Sequence, residues 1–176
     1  MNKILLSIIS VLFSMILHGQ INELSALQNF LKESNAKGIT NAEHLGISNL
    51  SDPSIWPDIT WDGNHFISIR WHKKNLTGEL DLSGFQELRE LNLSNNYLLS
   101  LKVNDCHNLQ MADVSDNDLQ ELDISNCNLL KELFCNNNRL TTLNVQNCSS
   151  LENLDCSFNQ LPNLSLFGVN GLVYLN

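Results

Sequence analysis

Residues 88–108 read LRELNLSNNYLLSLKVNDCHN, and residues 109–129 read LQMADVSDNDLQELDISNCNL. The two lines align without a gap, and their pattern continues over 130–150 and 151–171 and stops within 172–176. An apolar residue recurs at the first, fourth and sixth positions, and an asparagine recurs at the ninth. Because four copies match with no insertion, the chain is predicted to fold as a stack of 21-residue coils.

Each coil is predicted to contain two short strands. Leu91 and Leu93 alternate with Asn92, and alternate side chains on a strand share one face, so the leucines point inward and Asn92 faces solvent. The alternation recurs at Leu101 and Val103 in the second half of the coil. Tight corners between the two strands leave no room for a full helix. Because no coil can bury its own apolar face, stability must come from stacking on neighbouring coils.

One asparagine per coil is predicted to form a structural ladder. The ladder residues are Asn96, Asn117, Asn138 and Asn159. A buried amide has two donor hydrogens and an acceptor oxygen, which can satisfy backbone groups where the chain leaves the strand, in its own coil and in the next. Leaving such groups unpaired costs about 1–3 kcal/mol each. We therefore expect Asn117→Leu to destabilise the fold far more than Asn126→Leu.

The five cysteines fall into two columns. Cys135 and Cys156 occupy inward leucine positions, whereas Cys106, Cys127 and Cys148 share one corner. They are predicted to be free, buried thiols. Coils stack ~4.8 Å apart, so a single disulfide, Cys106–Cys127 or Cys127–Cys148, is the alternative. Zinc is not expected, because neither column has histidines at metal-ligand spacing.

The first residues have the composition of a secretory signal. Lys3 precedes the apolar run Ile4–Leu17, and the small Gly19 follows it. The fourteen residues of that run would span ~21 Å as a helix, short of the ~30 Å needed to cross a bilayer. We predict a signal peptide over 1–19 that is cleaved after Gly19, and a retained membrane anchor is the alternative. No later segment is long and apolar enough to span a membrane.

Residues 20–65 are predicted to cap the first coil. An amphipathic helix is expected over Ile21–Lys37, with Gly38 at its end, followed by a polar loop over Thr40–Pro53. The predicted solenoid follows over 66–176. Its coils are an irregular first coil 66–87, then 88–108, 109–129, 130–150, 151–171 and an incomplete 172–176.

The repeat L-x-x-L-x-L-x-x-N-x-L resembles the leucine-rich repeat, and in length it is similar to the 21–22-residue arrays of secreted bacterial proteins, including internalin-like surface proteins. The resemblance covers residues 66–176. It implies an α/β-type solenoid of mostly short parallel strands, wound as a right-handed superhelix behind an N-terminal helical cap. It also implies a secreted or cell-surface location.

The cap resembles the amino-terminal cap of plant-type leucine-rich repeat proteins, in which W-x-G-V-x-C precedes a repeat ending N-L-T-G. Trp56 and Ile59 match that pattern, but Asp58 replaces the glycine and Trp61 replaces the cysteine. The stretch 21–105 contains no cysteine, so the usual disulfide of that cap is absent. Trp56 and Trp61 are expected to seal this end by packing alone.

The strand before each ladder asparagine is expected to line the concave side, where such solenoids bind ligands. The candidate binding residues are Arg70, Glu90, Asn92, Met111, Asp113, Glu132, Phe134, Asn153, Asp155 and Tyr174. A flanking outward column is predicted at His72, Ser94, Ser115, Asn136 and Ser157. Phe134 is the informative member, because the repeat does not require an aromatic residue there, and exposed aromatics are favoured at recognition sites. The face is predicted to bind a protein or peptide, and glycan adhesion through the same face is the alternative.

Composition and charge narrow the class of partner. The 176-residue chain is 43% apolar with a net charge of −9, too apolar for disorder and too acidic for a nucleic-acid binder. It contains 33 Leu and 26 Asn, an excess of Asn that ordinary domains do not show. Residues 79–176 hold 13 acidic and 4 basic side chains, whereas 1–78 hold 6 of each. A partner of the solenoid is therefore expected to be basic or neutral.

The sequence does not predict an enzyme, a cofactor or a metal site. His72 and His107 have no nucleophile or carboxylate at motif spacing. Asp113, Asp116 and Asp118 lack the spacing of a calcium loop. The last stretch, 172–176, opens a further strand with an apolar edge. Two expectations follow: the chain is a fragment of a longer array, or it self-associates end to end.

Overall fold

The 21-residue repeats form two sheets of short strands. A computed structural model describes residues 23–176, so the predicted signal peptide, residues 1–19, lies outside the described residues. Helix α1 covers 23–32 of the described chain, and α2 is Asn41–Leu45. A single 3₁₀ turn follows at Pro53–Ile55. The strands are β1 (Ile59–Trp61), β2 (Phe66–Arg70), β3 (Thr77–Asp81), β4 (Glu90–Asn92), β5 (Tyr97–Lys102), β6 (Met111–Asp113), β7 (Glu121–Asp123), β8 (Glu132–Phe134), β9 (Thr142–Asn144), β10 (Asn153–Asp155) and β11 (Tyr174–Leu175).

Two sheets run along the stack of coils. The first sheet has the order β1-β2-β4-β6-β8-β10-β11, and the second has the order β3-β5-β7-β9. Every neighbouring pair is parallel except β1 and β2. Residues 21 apart lie side by side, as Glu90, Met111, Glu132 and Asn153 do. The chain is therefore a solenoid of stacked coils with a short N-terminal helix, as the repeat predicted.

The inward positions form one continuous core. Leu91, Leu93, Leu101 and Val103 are all buried, and the equivalent residues of the next two coils are buried as well. Where the pattern substitutes a smaller residue, as at Ala112, the side chain is still fully buried. The predicted alternation of inward and outward side chains is confirmed.

The ladder asparagines bind backbone groups of two coils. Asn117 Oδ1 accepts from Leu98 N at 3.0 Å, and its Nδ2 donates to Leu93 O at 3.0 Å and Val114 O at 3.2 Å. Equivalent bonds are made by Asn96, Asn138 and Asn159. Each amide bonds to the preceding coil, whereas the sequence suggested bonds to the following coil. Each amide therefore links the turn of one coil to the turn before it.

Each coil has two left-handed corners, and four of the asparagines outside the ladder lie at them. The first corner lies just before the ladder, at Asn95, Asp116, Asn137 and Phe158, with φ of 57°, 54°, 54° and 53°. The second corner comprises Gly84, Asp105, Asn126, Asn147 and Gly168, with φ between 61° and 79°. Asn, Asp and Gly adopt this conformation with little cost, which accounts for Asn95, Asn126, Asn137 and Asn147. Phe158 is the exception.

Helix α1 is shorter than predicted. Its residues Leu27, Phe30 and Leu31 are buried against the first coil, as the amphipathic pattern indicated. The helix ends at residue 32, so the predicted end at Lys37 is wrong. The side chain of Asn35 explains the difference, because its Oδ1 accepts from Lys37 N at 2.9 Å and holds that segment in a turn. Gly38 lies in this turn with φ of 78° instead of ending a helix.

The predicted polar loop over Thr40–Pro53 contains helix α2. Thr40 and Glu43 form a capping box, with Thr40 N donating to Glu43 Oε2 at 2.7 Å and Glu43 N donating to Thr40 Oγ1 at 3.2 Å. The first helical residue, Asn41, is fully buried and binds both Thr77 N and Thr77 O through its amide. The loop prediction missed this helix, which ties the cap to β3.

Aromatic side chains close the N-terminal end of the core. Trp56 is buried and stacks on Phe66 with 5.9 Å between ring centroids, and Trp61 packs on the same ring at 4.6 Å. Trp71 lies 6.5 Å from Trp56 and donates its indole N–H to Pro57 O at 2.9 Å. The end is thus sealed by ring packing.

Within residues 23–176, no helix combines the length and the hydrophobicity of a membrane span.

The five cysteines, all within the described residues, are free. Cys106, Cys127 and Cys148 each direct Sγ to a carbonyl oxygen of the preceding coil, at 3.1–3.2 Å. Burial raises the pKa of Cys106 to about 12 and that of Cys148 to about 11. Cys135 is also buried, whereas Cys156 is only half-buried. The structure contains neither of the two disulfides considered from the sequence.

Candidate binding surface

The outward side of the first sheet brings the predicted binding residues together. Two columns cross its strands in register, and we call them the binding face. One column contains Glu90, Met111, Glu132, Asn153 and Tyr174. The other contains Arg70, Asn92, Asp113, Phe134 and Asp155. Neighbouring members lie one strand spacing apart, ~4.8 Å, so the ten residues form a continuous surface.

Phe134 is the fourth of the five residues in the second column. Its neighbours in register are Asp113 on β6 and Asp155 on β10. The ring is half-buried, so it is less exposed than the sequence suggested. One aromatic side chain is therefore flanked by a carboxylate on either side, with Glu132 two residues earlier on its own strand.

Both flanking aspartates are held by the serine two residues later. Asp113 Oδ1 accepts from Ser115 N at 3.1 Å and from Ser115 Oγ at 2.6 Å. Asp155 Oδ1 accepts from Ser157 N at 3.0 Å and from Ser157 Oγ at 2.6 Å. Within residues 23–176, no hydrogen bond occupies Oδ2 of either aspartate. Two pre-oriented acceptor oxygens thus remain beside Phe134.

These serines belong to a flanking column that the sequence placed on the exposed surface. Ser94 and Ser115 are in fact buried, and Ser94 Oγ donates to Asn92 Oδ1 at 2.8 Å. Each serine lies in the turn, two residues after the last residue of the strand. Its hydroxyl donates back to the side chain of that last strand residue. The assignment of Ser94 and Ser115 to a solvent-facing column is therefore wrong, because they support the binding face from behind.

The charged side chains of Arg70 and Glu90 pair with each other at the N-terminal end of the binding face. Their side chains form a bidentate pair, with Arg70 Nε donating to Glu90 Oε1 at 2.6 Å and Nη2 donating to Oε2. This hydrogen bonding lowers the pKa of Glu90 and raises the pKa of Arg70. Because the pair is partly exposed, its contribution to stability is small. The less compensated negative charge of the face lies around Phe134.

Phe158 is a candidate contact that sequence reasoning missed. It follows Ser157 at the first left-handed corner, where the other coils have Asn or Asp, and its side chain is 79% exposed. A bulky residue at positive φ is a genuine conformational outlier, and such outliers cluster at functional sites. The signal was present in the sequence as the one aromatic in a column of Asn and Asp. Tyr174 is also exposed, so this end of the solenoid is rich in accessible rings.

The described part of the chain has no cluster of three His, Cys, Asp or Glu side chains that could hold a metal ion. Asp116 accepts a long bond of 3.5 Å from Asn95 Nδ2, and Asp118 pairs with Arg139 at 2.7 Å. These two carboxylates are therefore engaged separately.

A search with protein-family models gave no match to this chain, and a search of curated proteins gave none either. The solenoid architecture therefore rests on the repeat and on the sheet register.

Proposed function

We propose that this chain is a leucine-rich repeat module, secreted or displayed at a bacterial cell surface, which binds a protein or peptide through its binding face. In this proposal the solenoid is a right-handed superhelix, and the first sheet lines its concave side. The 21-residue period, the parallel register and the asparagine turns support the assignment. The predicted signal at residues 1–19 supports export.

The observation that carries the proposal is Phe134 between two aspartates with free Oδ2 atoms. A guanidinium or ammonium group over the ring gains a cation–π attraction, and the carboxylates accept its N–H donors. The ligand side chain that fits this arrangement is arginine or lysine. A basic partner also agrees with the net charge of −9, whereas a nucleic acid does not.

The surroundings of Phe134 suit a peptide rather than an isolated cation. Met111 supplies a flexible apolar surface one strand away, and flexible thioethers adapt to varied ligands. Asn153 and Glu132 add polar groups at the rim of the same column. A central aromatic residue with a polar rim is the usual arrangement of a recognition hot spot.

Free cysteines are compatible with export in this fold. Four of the five thiols are buried, and burial raises the pKa of each. Since the thiolate is the reactive form, such thiols are inert in an oxidising compartment.

Glycan adhesion is the second candidate, and Phe158 favours it. Its exposed ring offers an apolar platform, and Asn137 lies at the same corner one coil earlier. Such a site would combine ring stacking with amide contacts to hydroxyl groups.

The test is selection of random peptides on the immobilised chain, followed by affinity measurement with variants. Enriched peptides should contain Arg or Lys, and Phe134→Ala should weaken their binding about 5- to 30-fold, the effect of losing ~1–2 kcal/mol. Leu129→Ala, which truncates an exposed leucine elsewhere, is the matched control. Peptides without basic residues, or equal binding by Phe134→Ala and the control, would refute the proposal. Glycan-array binding that is lost with Phe158→Asn would instead support adhesion.

A further inference from the structure

Three adjoining cavities cross the second-sheet side of the molecule. The largest, about 510 Å³, lies between α1 and the turn after β3. The second, about 220 Å³, and the third, about 290 Å³, continue across β3 and β5 to β7. All three share Glu79, and Ser100 joins the second to the third. Together they form one groove, which we call the acidic groove.

Carboxylates dominate the walls of the acidic groove. Its lining carboxylates are Glu23, Glu33, Glu79, Asp81 and Glu121. Its basic side chains are Lys102, 3.8 Å from Asp81, and His65, which pairs with Glu23 at 3.1 Å. Glu79 and Glu121 form no ion pair within residues 23–176. The position of Glu33 is fixed, because its Oε2 accepts from Glu79 N at 3.0 Å. A groove lined by one sign of charge raises the local concentration of ligands of the opposite sign.

Gly78 is required for this arrangement. Its φ is 91°, and a Cβ at this position would lie 1.5 Å from Glu33 Oε2. The carboxylate of Glu33, the residue after α1, can therefore approach β3 only where the strand has no side chain. This close approach holds α1 and β3 together as the two walls of the largest cavity.

Leu99 gives the acidic groove an apolar contact. The pairing of β3 with β5 slips between Gly78 and Glu79, so Leu99 has no residue opposite it. Its side chain is 52% exposed and lines the third cavity. The next coils have polar residues at the equivalent positions, Gln120 and Thr141, so the repeat does not require a leucine here. Bulges of this kind often re-aim a side chain at a binding site.

We propose that the acidic groove binds an extended basic peptide segment that carries an aliphatic side chain. Glu79 pairs with Ser100, and Glu121 follows in the same column on the next strand, so the two carboxylates are two strand steps apart, ~10 Å. Residues three apart in a polyproline II segment lie on one face and ~9 Å apart, so lysines or arginines at this spacing match the two carboxylates, and the aliphatic residue between them contacts Leu99. This site is separate from the binding face and does not depend on Phe134.

The probe is a fluorescein-labelled nonapeptide with lysine at every third position and leucine beside each lysine. Its affinity for the full chain is measured by fluorescence anisotropy at low salt. The double variant Glu79→Gln and Glu121→Gln should weaken binding about tenfold, since two charge contacts are lost. The control Asp116→Asn and Glu152→Gln removes the same charge elsewhere and should change the affinity less than about twofold. Equal losses in the two double variants would mean unspecific attraction and would overturn the proposal.

A second comparison tests the apolar contact. The intact chain should prefer the lysine–leucine peptide over a peptide with serine in place of leucine, and Leu99→Ser should remove that preference. Leu129→Ser, an exposed leucine outside the groove, should leave it unchanged. An unchanged preference in Leu99→Ser would overturn the proposal. The two sites are separated by competition: with the binding face saturated by an unlabelled peptide selected on it, the probe should still bind and remain sensitive to Glu79→Gln and Glu121→Gln. Loss of all probe binding under that saturation would mean that the probe occupies the binding face, and the groove proposal would fail while the proposed function stands.

Discussion

Replacement of Asn117 by alanine is expected to damage the solenoid at one identifiable atom. The side chain of Asn117 makes its bonds to two coils, and truncation removes all of them at once. The Leu98 N–H then loses the acceptor that it has in the structure. The three carbonyl oxygens keep other donors, which are Asn96 Nδ2, Asn138 Nδ2 and Asn95 N.

The size of the expected destabilisation is set by the Leu98 N–H, because the three carbonyl oxygens keep other donors. One buried N–H without a partner costs about 1–3 kcal/mol, and the small cavity left by the amide adds about 1 kcal/mol. We therefore expect Asn117→Ala to lower the free energy of unfolding by about 2–4 kcal/mol. For a chain of this size, each kcal/mol lowers Tm by about 2–4 °C. Asn117→Asp should also destabilise, because it keeps an acceptor but has no donor for the carbonyl oxygens.

The assay is urea unfolding followed by circular dichroism, with hydrogen exchange of the Leu98 amide as the local readout. Asn163→Ala is the control, because Asn163 is exposed and lies at neither left-handed corner. Asn126 is a poor control, since its φ is 62° and its Nδ2 donates to Asp105 Oδ1 at 2.8 Å. Similar unfolding energies for Asn117→Ala and Asn163→Ala, or unchanged exchange at Leu98, would refute the ladder argument.

Two further predictions concern the corners and the thiols. Phe158→Asn should raise the free energy of unfolding by about 1 kcal/mol in urea titrations, because it relieves a left-handed backbone without losing buried contacts; a lower value would contradict the strain argument. In native protein at pH 8, iodoacetamide should modify Cys156 first, as mass spectrometry can show, because Cys156 is half-buried whereas burial raises the pKa of Cys106 to about 12. Equal modification rates at Cys106 and Cys156 would contradict this expectation.

The cap shows where local sequence signals compete. The apolar spacing of Leu27, Phe30 and Leu31 correctly identified a helix and its buried face. The same spacing could not show where the helix stops, because that depends on whether the Asn35 side chain captures the backbone ahead of it. Helix α2 had a readable signal in Thr40 and Glu43, but a five-residue helix has too few apolar positions to show periodicity.

The sequence predicted the binding face only in part. The period placed Asp113, Phe134 and Asp155 in one column, because residues 21 apart must stack when every coil has the same length. Hydrogen bonding within each coil determined which carboxylate oxygens stay free, and the buried Ser115 became visible as a support only in the fold.

The sequence by itself determined the coil length, the inward leucines and the asparagine turns, since each is a local pattern repeated four times. The tertiary structure alone decided the acidic groove. The 21-residue period relates Glu79 to Glu121, but Glu33 lies 46 residues before Glu79 and outside the repeat, so no local pattern relates the cap carboxylate to the other two. The groove exists because α1 packs on the first coil and Gly78 admits the Glu33 carboxylate. Such contacts depend on shape complementarity between distant segments, which periodicity does not contain.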